Sequence, residues 1–269
     1  MTRVASLPMY DPPGLGEATD SLWAAIAAAC RAEGLADAPA ALDRASPHRA
    51  LWHDPALFLS QTCGYPLVHE LAGRVRIVAT PRYAVAACIG TSYTSHCIVP
   101  RDRGATRLDD LRGAVAAANE IDSHSGMNAF RALIAPLAGG GNFFDGVVWS
   151  GSHLGSLELV ARGEVDVAVI DCVTFALLER LRPDLTSAVR VIARTEPCPG
   201  LPLITAATTS EADLSRMRRA LARVAADPAL APLRASLLID GFEVLTDVAY
   251  RRVVELEEQA VGLGYPELR

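Results

Sequence analysis

The run Asp122, Ser123, His124, Ser125, Gly126, Met127, Asn128 joins an apolar, strand-like segment to a helix-like one through small hydroxyl residues. These residue types suit the capture of a small anion. The first backbone N–H groups of a helix have no partner within it, and their partial positive charge favours phosphate, sulfate or carboxylate. Ser123 and Ser125 add hydroxyl donors, while Gly126 permits close backbone approach and a positive φ. The competing reading is an ordinary helix cap, in which Ser125 or Asp122 bonds only its own helix.

The same chemistry recurs downstream. Ser150, Gly151, Ser152, His153, Leu154, Gly155, Ser156 follows a strand-like run, Val147 to Trp149, and leads into an apolar helix, Leu157 to Ala161. A third run, Val165 to Ile170, is continuously β-rich, as expected of a parallel strand buried on both faces, and it ends at Asp171 before a helix from Phe175 to Leu181. In a parallel sheet the three strand ends fall on one edge, where open α/β sheets bind ligands. Ser123, Ser125, His153 and Asp171 are thus expected to converge although they are distant in sequence.

The elements that must position them read as α/β. Expected strands are Val4 to Met9, Val75 to Thr80, Tyr83 to Cys88, Tyr93 to Val99, Ala114 to Ala118, Val189 to Ala193 and Leu203 to Ala207. Expected helices are Leu22 to Ala32, Leu51 to Leu59, Met127 to Leu137, Leu214 to Ala225, Leu230 to Leu237 and Tyr250 to Val261. The proline-rich stretch Glu196 to Pro202, set between two strands, suits a crossover between lobes.

Composition removes several function classes. At 269 residues, 51% hydrophobic, the chain can bury one large core or two moderate ones. A net charge of −6 and a pI of about 5.5 argue against the basic face of a nucleic-acid or anionic-membrane binder. Every basic residue is arginine, which excludes Schiff-base chemistry and a Walker-type phosphate loop, both of which need lysine. The six cysteines lack Cys-x-x-Cys spacing and most read as small core residues, Cys172 included, since no activating base is evident for it. His153 has no second metal ligand at close spacing, and no metal site, cofactor or catalytic residue is expected. The opening residues hold no apolar segment long enough for a signal peptide or a membrane span. As written the chain reads as cytoplasmic, whereas one trimmed of a leader would be periplasmic.

The chain resembles the phosphate, phosphite and phosphonate binding proteins of ABC transporters, which have the type II periplasmic-binding fold. The matching pieces are Gln61, Thr62, Cys63, Gly64, Tyr65; Leu108, Asp109, Asp110, Leu111, Arg112, Gly113; Asp122 to Gly126; Gly151, Ser152, His153; and Gly163 to Ala168. The resemblance implies two α/β lobes joined by two crossover strands, residues 1–100 with 195–269 forming the first and 101–194 the second. It implies a small anionic ligand held in the cleft between the lobes and an ABC transporter permease as partner. Carried onto this chain, the ligand-binding residues are Ser123, His124, Ser125, Gly126 and His153, with Tyr65 and Tyr10 from the first lobe and Asp171 facing the ligand's substituent. His124 departs from the family's usual small hydroxyl residue. Enzymes of the same fold that act on small carboxylates, and cytoplasmic ligand sensors, are the alternatives the sequence leaves open.

Overall fold

A computed structural model describes residues 3–269. The chain divides into two compact units, one comprising Met1–Ala84 with Pro199–Ala249, the other Val85–Cys198 with Tyr250–Arg269.

The first unit is built on a mixed five-stranded sheet, ordered Val4–Ala5, Leu57–Gln61, Leu203–Ala206, Val75–Tyr83, Ile239–Glu243. Its first pair is parallel, and Leu203–Ala206 runs antiparallel to both of its neighbours. The helix Gly16–Ala32 buries Leu22, Trp23, Ile26, Ala27 and Cys30, positions spaced for one helical face. Trp23 meets Phe58 edge to face, with ring centroids 6.2 Å apart.

The second unit carries a sheet ordered Gly146–Trp149, Val115–Ala118, Val167–Asp171, Ser95–Pro100, Val189–Arg194. The first three strands are parallel, as their alternation with helices requires, and Ser95–Pro100 is antiparallel to both strands beside it. Successive side chains alternate between two buried faces. Cys97, Val99, Ala116, Ala118, Val167 and Val169 join one core with Phe130 and Ile134, and Ile98, Ala117, Ala168 and Ile170 join another with Leu157 and Val160. The expectation that Val165 to Ile170 is buried on both faces is therefore met, its strand running from Val167 to Asp171.

Two expected elements differ. Leu51 to Leu59 is not one helix but the end of a short helix, His48–Trp52, followed by the strand Leu57–Gln61. Pro55 disfavours helical backbone at Asp54, and the Asp54 carboxylate accepts from the Ala56 N–H at 2.7 Å to turn the chain. The expected break before Tyr83 is absent. One strand spans Val75–Tyr83, and the residues after it close a turn in which the Cys88 N–H donates to the Val85 carbonyl at 2.9 Å.

The unit boundaries also differ from the expected 1–100 with 195–269 and 101–194. The strand Ser95–Pro100 lies inside the second unit's sheet, between Val167–Asp171 and Val189–Arg194, and that unit begins at Val85. The C-terminal helix Asp247–Gly262 starts at the border, and Ala260, Tyr265 and Leu268 complete the core around Phe130, Phe143 and Phe144. Tyr265 donates its hydroxyl to the Arg269 carbonyl and is fully buried. Truncating Tyr265→Ala is expected to lower the unfolding free energy by about 3 kcal/mol, the scale of an aromatic core deletion. Urea denaturation checks this; a loss under about 1 kcal/mol would mean that the C-terminal segment does not complete this core.

Candidate functional site

The three parallel strands of the second unit end on one edge, and the polar turns follow directly from two of them. After the strand Val115–Ala118 the chain enters a turn, His124–Asn128, that is π-helical rather than α-helical. The Asn128 N–H donates to the Ser123 carbonyl, five residues back, at 3.0 Å. A regular α-helix, Ala129–Ala138, begins only after this turn, two residues later than the expected start at Met127. Such wide turns insert an extra residue into a helix and recur at functional sites.

Ser123 is the N-cap, and its Oγ accepts from the Gly126 N–H at 3.1 Å. A hydroxyl that accepts this bond still has a proton to donate, so capping and anion binding do not exclude each other. Ser125 Oγ lies 3.4 Å from Ser123 Oγ and 2.8 Å from His153 Nε2. His153 opens the helix His153–Ala161, whose N-cap Ser152 accepts from the Gly155 N–H at 2.9 Å. Two strand-to-helix turns 28 residues apart therefore meet through a direct hydrogen bond between their side chains.

Gly126 acts through close approach. Its φ is not among the positive glycine values, against the expectation, but a Cβ there would overlap Asn119 Oδ1 and come within 3.0 Å of His153 Cε1. A larger residue at this position would force the Asn119 amide to move and press on the His153 ring.

His124 neither reaches solvent nor stands open. It is buried, with Nδ1 3.1 Å from Asn128 Nδ2 and its ring edge-on to Tyr93 at 6.3 Å. Asn128 is in turn oriented by Arg131, whose Nη2 donates to Asn128 Oδ1 at 2.6 Å. A guanidinium has only donors, so the amide oxygen faces it, and Asn128 Nδ2 is left to donate to the Val253 carbonyl at 3.0 Å and to His124. His124 Nδ1 accepts, which puts the imidazole proton on Nε2. Arg131 is itself buried, donating to the Pro266 carbonyl at 2.6 Å and lying 3.2 Å from Glu257.

Burial holds His124 and His153 well below the ordinary histidine value, at about 4, with a contact to the Val169 backbone partly offsetting this at His153. Both rings are neutral near pH 7. The turns thus offer O–H and N–H donors without a full positive charge.

Asp171 ends its strand on the same edge, but its Oδ1 accepts from the N–H groups of Val173 at 2.7 Å and Thr174 at 3.0 Å, capping the helix Cys172–Leu181. Tyr65 and Tyr10 belong to the first unit. Tyr65 lies in the short helix Gly64–Val68 with its ring 4.3 Å from that of His69, and Tyr10 meets Tyr83 edge to face at 5.0 Å. Asn119, Asn128, Arg131 and Tyr93 were not among the expected site residues. A signal for two of them was present: Asn128 stands four residues after His124, and Arg131 is a lone charge in an apolar helix, the mark of a buried, paired group. Among the described residues, no three His, Cys, Asp or Glu side chains are placed to hold a metal ion.

Residues 57–250 match the family model for the ABC transporter, phosphonate, periplasmic substrate-binding protein. The chain belongs to this family. No curated protein matches it in sequence. Among solved structures it is similar to a binding protein component of an ABC phosphonate transporter from Pseudomonas aeruginosa, at TM-score 0.76 and 16% identity over 97% of this chain and 87% of that one. It is similar to PhnD1 from Prochlorococcus marinus in complex with methylphosphonate, at TM-score 0.74 and 12% identity over 96% and 98%. A Xanthomonas citri protein bound to chloride ion matches at TM-score 0.74 and 18% identity over 97% and 98%. The fold is that of the two-lobed periplasmic-binding proteins. No helix among the described residues is long and apolar enough to cross a membrane.

Two outcomes follow for this binding protein. Gly126→Ala is expected to lower the thermal midpoint by several degrees, and adding Asn119→Ala to restore most of the loss by removing the overlapping oxygen, as read by differential scanning fluorimetry. The buried histidines set a pH dependence. Native His96, His124 and His153 are each held at about 4, below the ordinary 6.5, so between those values the unfolded chain binds more protons. Stability is full above 6.5 and falls as pH drops toward 4. A thermal midpoint measured across this window should slope upward with pH, and His124→Gln with His153→Gln should flatten the slope.

Proposed function

We propose that this protein captures a small phosphate- or phosphonate-like oxyanion without bond chemistry and delivers it to an ABC transporter permease from the periplasm, the compartment in the family's description. The observation that carries the reading is the 2.8 Å bond between Ser125 Oγ and His153 Nε2, which joins two helix-opening turns. Ser123 and Ser125 supply hydroxyl donors, the Ser125 proton being free for the ligand in the tautomer where His153 donates to it from Nε2, and the first N–H groups of both helices supply partial positive charge. His153 orients Ser125. His124, buried beneath the turn, keeps it in its π-helical shape instead of meeting the ligand directly. Asp171 serves as a helix cap.

Neutral donors suit a ligand that must be released, because a tetrahedral oxyanion can be wrapped by N–H and O–H dipoles without a permanent ion pair. The test is thermal stability with phosphate, phosphite, methylphosphonate or 2-aminoethylphosphonate added. A true ligand at about a hundred times its Kd stabilises the native state by ~2.7 kcal/mol. No shift with any of the four would overturn the phosphoryl reading. Ser125→Ala is expected to weaken binding of the active compound by roughly tenfold to a hundredfold, the scale of one lost hydrogen bond to a charged group, in isothermal titration. Ligand recovered from the complex should be chemically unchanged by mass spectrometry, and a converted product would favour an enzyme.

A further inference from the structure

We infer that Cys88 and Cys172 are a disulfide-forming pair, closed when the protein meets an oxidising thiol–disulfide pool. Their Sγ atoms lie 3.5 Å apart although the residues are separated by 84 positions, and both belong to the second unit. The backbone holds them there independently of the sulfur contact. Thr94 bonds both segments: its Oγ1 donates to the Ala87 carbonyl at 3.2 Å, and its own carbonyl accepts from the Cys172 N–H at 3.1 Å. Cys88 closes the turn that begins at Val85, and Cys172 is the first residue of a helix capped by Asp171. Forming the ~2.05 Å S–S bond requires the two sulfurs to draw together from this contact.

The two thiols differ in access. Cys88 is half-buried, whereas Cys172 is fully buried. The Cys88 contact, burial and the neighbouring Asp171 carboxylate push the Cys172 thiol up, so Cys88 is the point of entry. The Cys88 thiolate attacks one sulfur of a disulfide of two monothiols, such as glutathione disulfide, and expels one reduced glutathione. The Cys172 thiolate then attacks Cys88 Sγ of the mixed disulfide and expels the second. Two protein thiols are oxidised, one glutathione disulfide is reduced to two thiols, and the two protein protons end on the glutathione released. The remaining cysteines, Cys30, Cys63, Cys97 and Cys198, are buried and take no part. The bridge would fasten the segment entering the second unit to the strand end that carries Asp171. It would also close a long loop in the unfolded chain.

The test is equilibration of the whole protein with glutathione disulfide, followed by denaturation, alkylation with N-ethylmaleimide and mass mapping. The wild type should lose two alkylatable thiols of its six, gain a cross-linked peptide pair containing Cys88 and Cys172, and melt several degrees higher than its reduced form. Cys88→Ser should keep all five remaining thiols alkylatable, whereas Cys172→Ala should hold one glutathione on Cys88 as an unresolved mixed disulfide; if the buried Cys172 variant fails to fold, the half-buried Cys88 variant carries the comparison alone. Six alkylated thiols in the treated wild type, a cross-link through any other cysteine, or an oxidised form that melts lower would overturn the inference.

Discussion

A guanidinium inside a protein must have its charge answered, because an unpaired buried charge costs several kcal/mol. Arg131 answers it through its two terminal nitrogens, with the Asn128 amide oxygen, the Pro266 carbonyl and the Glu257 carboxylate, while its Nε–H is buried without a partner. Each of these comes from a different segment, so satisfying one side chain fixes three pieces of backbone. The consequence travels upward. Asn128 can point only one way, His124 is left with one tautomer, and the turn between strand and helix is held in its widened form. The polar chemistry at the sheet edge rests on a charge that never touches that edge.

The sheet below has a complementary task. Its central strands are small or β-branched on both faces, and Ala116, Ala117 and Ala118 leave room for helices to pack closely on either side. Parallel strands of this kind present their C-terminal ends together, so the positions of Ser123 and His153 follow from topology before any side chain is chosen. Side-chain bonding then refines what topology has placed, through Ser125 and the glycine that lets the turns approach.

Much of this was readable from residue order. The repeated strand, hydroxyl turn and helix announced the edge, and the apolar run ending at Asp171 announced the central strand, because continuous β-branched residues between turn signals have few other uses. The misreadings have physical causes. Leu51 to Leu59 is a short apolar stretch for which periodicity cannot separate helix from strand. The C-terminal helix shows by its pattern which face is buried but not against what, so its membership in the second unit was invisible until Tyr265 was seen beside Phe143 and Phe144. His124 was visible as an anomaly in a polar turn. Its role was not, since the partner that orients it is itself oriented by a residue seven positions along the chain.

The widened turn has a further consequence. In an α-helix each residue advances the chain by about 100° around the axis. Because the turn at His124–Asn128 holds one residue more than an α-helical turn would, deleting a single position there would swing the hydroxyls of Ser123 and Ser125 away from the groups they now face, with no change of residue type. Chain length at this one point, as much as side-chain identity, sets which way these hydroxyls face.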